Sequence, residues 1–180
     1  WGQRGTLHLY DAEDWPMVVH ARRQWATSGR SNGMPSDALL EEISEVFAAS
    51  DKPMTRSDLT PLMPEDYIEE LRDHPGAGKT PERFAASRVI WSLSKRGVIA
   101  HADAQGREQG YAHRELWWPH VEWKETSEKE ANQDVIRRYL GIFGPSSVQD
   151  VAHYMGARVS DTREWMKGME EDVFECTQGE

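Results

Sequence analysis

Cysteine is almost missing from this chain, and Cys176 stands alone. One thiol excludes an intrachain disulfide framework and fits a reducing cytoplasm, the expected location. It also excludes a zinc finger, and the seven histidines show no metal-ligand spacing. No metal or cofactor is therefore expected. His101 and His113 come nearest to a cluster, facing each other across a proposed hairpin, and read as a surface pair. Long apolar runs are missing too: no stretch approaches a membrane span, and the opening residues lack the pattern of a secretory leader. Positive charge is scarce, with 21 Lys and Arg against 31 Asp and Glu and a net charge of −10. That balance argues against nucleic-acid binding through the whole surface, because phosphate binding draws on local positive charge and weakens with salt. A nucleic-acid binder of this composition needs a basic face set apart from an acidic remainder, or charge carried on further chain. The start at Trp1, inside what reads as a strand, leads to the expectation of a piece of a longer protein.

The 180 residues are 38% hydrophobic, enough for one sizeable core or two small ones, and eight tryptophans suit packing between subdomains as well as within them. The most informative stretch spans residues 80–114. It reads as an amphipathic helix over 81–95, a stop at Gly97 and two short strands flanking residues 103–110. Ala86, Val89, Ile90 and Leu93 fall on one helix face, and Phe84, Arg88, Trp91 and Lys95 form a stripe on another. A helix followed by a Gly-rich hairpin is the sequence shape of a winged helix, whose last helix can enter a DNA major groove while the wing touches the flanking backbone. The plainer alternative is that Trp91 packs on Trp117 or Trp118 and that Arg88 and Lys95 are solvated charges. Winged helices also serve as protein-docking modules.

Taken in order, residues 4–9 suit a strand. Asp11, Asp14 and Pro16 suit the start of a helix carrying Trp15, Val18, Val19, Arg22, Arg23 and Trp25, followed by a loop over 28–33. Ser36 caps a helix with Leu39, Leu40, Ile43, Val46 and Phe47 on one face. Thr55 and Asp58 match a capping box, and residues 65–73 suit a short acidic helix. Gly76, Gly78, Lys79 and Thr80 invite a phosphate-loop reading, but the first glycine is misplaced and no buried strand precedes it. The aromatic segment 117–123 reads as a connector closing one subdomain against another, and residues 124–130 as charged and solvated. A helix bearing Val135, Ile136, Tyr139, Leu140 and Phe143 then runs to Gly144. Pro53, Thr55, Asp58 and Leu59 recur as Pro145, Ser147, Asp150 and Val151, each set after an amphipathic helix ending near a Phe. This repeat predicts two tandem winged helices in a mainly α fold with short β-hairpin wings (α+β). The expected domains are 31–123 and 124–180, the second with a helix over 160–169, a strand beginning over 173–176 and no wing. Residues 1–30 are expected to belong to, or link from, an N-terminal domain outside this sequence.

Arg4, Gly5, Thr6, Leu7, His8 and Leu9, an acidic-Trp helix start after them, and the segment 144–150 resemble winged-helix proteins of the AlkZ and YcaQ type. Residues 95–99 enter the first wing where that resemblance expects them. It implies tandem winged helices with a small β-domain and an intact protein that is a DNA glycosylase removing bulky alkylated bases, including those in interstrand crosslinks. The family's catalytic motif, a glutamine, an aliphatic residue and then glutamine or aspartate, occurs nowhere in this sequence and is expected upstream of Trp1. The family also tends to have Trp where Tyr154 stands. Arg4, Thr6 and His8 match the family's positions. As alternate residues they share one strand face, suited to phosphate or base-edge contacts, or to a buried network with an N-terminal domain.

The expected function is the DNA-binding part of a glycosylase-like repair protein, inactive by itself, with double-stranded DNA as partner. Arg88, Lys95, Arg96 and Arg107 are the expected phosphate contacts, by analogy with other winged helices. The alternatives are a noncatalytic, transcription-type winged-helix binder and a protein-interaction scaffold. The sequence does not speak to oligomeric state.

Overall fold

The computed structural model describes residues 11–21 and 33–169. These fall into two compact units, one built from 11–21 with 123–169 and the other from 33–122. The expected strands over 4–9 and 173–176, and the end of the first helix, lie outside the described residues. Among those described, the architecture is mainly helical with one three-stranded antiparallel sheet.

In the larger unit, α2 (Asp37–Ala49) begins where the Ser36 hydroxyl accepts the Leu39 N–H at 3.2 Å, and buries Leu39, Leu40, Ile43 and Phe47. Then β1 (Met54–Thr55) leads directly into α3 (Arg56–Leu59), a 3₁₀ turn (Thr60–Leu62) and α4 (Glu65–Leu71). Next comes α5 (Pro81–Lys95), with proline in its first turn and Ala85, Ala86, Val89, Ile90, Ser92 and Leu93 buried. Gly97, at φ 69°, turns the chain into β2 (Ile99–Gln105), which pairs with β3 (Glu108–His113) through a turn at Gly106 and Arg107. The sheet order is β1-β3-β2. A short α6 (Arg114–Trp117) ends this run. Apolar faces of α2, α4 and α5 close with Leu59 and Ile99 into one core.

The expected α5 bounds match the structure, because a proline start, a four-position apolar face and a glycine stop all agree. The strands are longer than expected, leaving only two residues to the turn. The sequence reading also missed β1, which is too short to show a period and is held by Met54 opposite Tyr111 and Thr55 opposite Gly110. The proposed pairing of His101 with His113 is corrected. His101 lies opposite Tyr111 and His113 opposite Ile99, because the turn pairs Gln105 with Glu108 and the one-residue irregularity between Ala102 and Gln105 carries the two histidines further out of step.

The second unit packs α1 (Trp15–Ala21) with α7 (Glu128–Phe143), α8 (Val148–Met155) and α9 (Val159–Met166). Ala21, Ala131, Val135, Ile136, Val151, Met155 and Met169 form its core. Asp11 caps the 3₁₀ turn (Ala12–Asp14) ahead of α1, and Trp123 meets Trp15 edge to face at 5.2 Å. Helix α7 starts inside the segment read as solvated: Ser127 and Glu130 form a capping box, a signal present in the sequence and passed over. Phe143 was expected on the apolar face but is 60% exposed, touching Tyr139 from a last turn that lies outside the core cluster.

Both halves of the repeat carry the expected reciprocal cap. Asp58 accepts the Thr55 N–H and hydroxyl, each at 2.8 Å, while its own N–H donates to Thr55 Oγ1 at 3.2 Å. Ser147 and Asp150 repeat the arrangement at the start of α8. The Thr55 backbone N–H and hydroxyl hold the Asp58 carboxyl below its ordinary range, and the Ser127 and Ser147 hydroxyls do the same to Glu130 and Asp150. Carboxyls lowered on folding contribute stability that is complete above their unfolded values and is lost as pH falls through their folded ones. Thermal unfolding followed from pH 6 down to pH 3 should therefore show a falling midpoint, and Asp58→Asn should flatten that fall. At neutral pH Thr55→Ala should cost about 1 kcal/mol by denaturant titration.

Candidate functional site

The four cationic positions expected to meet phosphate within the described residues sit on α5, just after it and on the hairpin. Lys95 and Arg88 flank Trp91: Lys95 Nζ lies 3.7 Å from the ring centroid and Arg88 Cζ 5.6 Å from it. Arg88 also lies 5.9 Å from the Phe84 ring. The residues spaced three and four apart on α5 thus form a cation–π ladder, which fixes the charges over apolar rings without burying them fully. Trp117 and Trp118 meet each other edge to face.

The ladder is anchored at Arg88. Its Nε donates to the Gly33 carbonyl at 3.2 Å, and Nη2 reaches Met34 Sδ at 3.0 Å. The buried Tyr67 hydroxyl donates to the same Gly33 carbonyl at 3.0 Å. Burial pushes the Tyr67 phenol up to about 12, so it remains a neutral donor throughout the working range. Two donors from α4 and α5 therefore converge on one carbonyl ahead of α2. Arg88→Gln removes a charge-assisted bond and should lower stability by about 1–2 kcal/mol in denaturant titration. Arg88→Lys should not restore it, since an ammonium lacks the planar fork.

The other cations are held less firmly. Arg96 pairs with the exposed Asp37 at 2.7 Å, and Arg83 with Glu108 at 3.3 Å. Arg107 is exposed in the hairpin turn beside Gly106, whose φ is 65°. Arg114 donates to the Gly97 carbonyl at 3.2 Å and ties the end of the hairpin to the end of α5. His101 and His113 are held below the ordinary imidazole value, in each case chiefly by burial, so neither adds positive charge at neutral pH. No metal-binding group of His, Cys, Asp and Glu occurs among the described residues, and no helix there is long and apolar enough to cross a membrane. Arg4, Thr6 and His8 lie outside the described residues.

The sequence reading missed the links from Arg83 and Ser57 to Glu108. Ser57 donates its backbone N–H to Glu108 Oε2 at 3.2 Å and its hydroxyl to Oε1 at 2.9 Å. Nothing in the local pattern marks a contact between residues 51 positions apart.

Among solved structures, the chain is similar to the Streptomyces sahachiroi DNA glycosylase AlkZ, with a TM-score of 0.65 and 22% identity, a likeness of fold. The match covers 95% of this chain and 47% of that one, so the chain spans about half the length of the structure it resembles. No curated protein matches. The family model described as DNA glycosylase AlkZ-like matches residues 1–180. On that match over its whole length, the chain belongs to the AlkZ-like DNA glycosylase family.

Proposed function

We propose that this chain is the DNA-binding part of a winged-helix repair protein, and that the intact protein is a glycosylase acting on alkylated or crosslinked bases. The observation that carries the reading is charge segregation. In a chain of net charge −10, residues 83–114 hold six Arg and Lys against two carboxylates, and they run from the first turn of α5, just past Glu82, through the hairpin to the first residue of α6. A basic segment on an acidic protein is the electrostatic footprint of a phosphate contact.

The order α2, β1, α3, α5, β2, β3, with a β1-β3-β2 sheet, supports a first winged-helix domain over 31–123. The second copy of the cap and the succession α7, α8, α9 support a second over 124–180. On this reading residues 1–30, with Arg4, Thr6 and His8, lead from an N-terminal domain of the same protein, and the work is cytoplasmic. Lys95, Arg96 and Arg107 meet backbone phosphates, while Arg88 braces the helix that carries Lys95.

Glycosylases cleave the bond between base and sugar C1′ with water, so positive charge develops on the sugar as the base departs with the bonding electrons. The glutamine motif implied by the family resemblance is absent from this sequence, and the chain's own contribution is to hold duplex. The test is a salt titration of binding to plain and lesion-bearing duplex. Binding that falls steeply with salt, without base release or sequence preference, supports the reading. Failure to bind either duplex at low salt overturns it, and strong sequence preference would indicate a transcription-type binder instead.

A further inference from the structure

We propose that Glu108 is an internal competitor for duplex phosphate: its carboxylate neutralises Arg83 and engages Ser57, and DNA binding displaces it. This rests on the DNA-binding reading and adds a regulating contact to it. The geometry begins with chemistry. A carboxylate and a phosphate diester present the same singly charged pair of acceptor oxygens. Glu108 Oε1 accepts both the Ser57 hydroxyl at 2.9 Å and Arg83 Nη2 at 3.3 Å, and Oε2 accepts the Ser57 N–H at 3.2 Å. A cation, a hydroxyl and a backbone N–H thus converge on one anion.

The contact lies in the basic stretch, next to Arg107 at the hairpin turn, and joins β3 to the first turn of α5. It remains open to water, with side-chain exposures of 41% for Arg83 and 32% for Glu108. An exposed ion pair of this kind is weak and exchangeable. The Ser57 hydroxyl and N–H hold the Glu108 carboxyl below its ordinary range, so it is charged throughout the neutral range. Of the two carboxylates between 83 and 114, Asp103 is the other. It is exposed on the same hairpin, and Glu108→Gln and Asp103→Asn make the same change in charge.

The experiment compares wild type, Glu108→Gln, Asp103→Asn, Arg83→Gln and the Glu108→Gln/Arg83→Gln pair for binding to a plain duplex across a salt series. Glu108→Gln should tighten binding about fivefold and steepen the log–log salt slope by roughly 0.9, as one more phosphate contact forms. Asp103→Asn should give a smaller gain with the slope unchanged, and Arg83→Gln should erase the gain from Glu108→Gln. Equal effects of Glu108→Gln and Asp103→Asn, a weaker-binding Glu108→Gln, or a gain that survives Arg83→Gln would each overturn the competitor role while leaving duplex binding intact. Absence of binding by wild type and every variant at low salt would overturn the DNA-binding reading, and this proposal with it.

Discussion

Gly110→Ala should cost the larger unit about 3 kcal/mol, and Gly106→Ala, four residues away, clearly less. Gly110 is buried at the centre of the sheet, opposite Ala102 on β2 and Thr55 on β1. A methyl group there would lie 2.1 Å from the Asp103 carbonyl oxygen and 3.0 Å from Pro53 Cβ. The first neighbour is backbone and cannot rotate away. Relief therefore requires β2 to lift from β3, which would undo the register irregularity between Ala102 and Gln105. Nothing lies within 4 Å of the corresponding point at Gly106, where only the positive φ of 65° is at issue, a strain of about 1 kcal/mol. Denaturant titration of both variants measures the difference. A Gly110→Ala protein as stable as wild type would mean that the strand irregularity has freedom to move.

That glycine also marks the limit of what could be read from the sequence. Helix α5 was legible because its proline, apolar spacing and closing glycine are local signals that point the same way. The two Thr/Ser–Asp caps were legible for the same reason, since donor and acceptor lie three residues apart. Gly110 gave only the vague signal of a turn-rich hairpin, because its neighbour, the Asp103 carbonyl, comes from the opposite strand. The partners of Arg88 are more distant still: the Gly33 carbonyl is 55 residues away. A helical wheel shows Arg88 and Lys95 on one stripe but cannot show that one of them braces a loop. Likewise, nothing local to Arg83 marks a partner, whereas the fold gives it a carboxylate from the hairpin. Local chemistry therefore exposed the elements, and the roles of individual cations awaited their tertiary partners.

Neutralising Lys95, Arg96 and Arg107 together should weaken duplex binding on the order of a hundredfold at moderate salt and lower the salt slope by about 2.7. The effect is large because each cation brought to a phosphate releases condensed counterions, and that gain is repeated at each contact. It should be uniform across duplex sequences, since phosphate contacts position a protein without reading bases. Stability should change little. The Arg96 pair with Asp37 is exposed on the Asp37 side, and Arg107 projects from a turn. Lys95 gives up its place over Trp91, a contribution of about 0.5–1 kcal/mol. Arg88→Gln supplies the contrast, because its bonds to Gly33 and Met34 lie within the fold. It should lose stability and leave the salt slope unchanged. The two variants thus separate charges that face a partner from one that holds the surface in shape. If the triple variant binds with an undiminished slope, the phosphates are met elsewhere, and the helix and hairpin lose their proposed role.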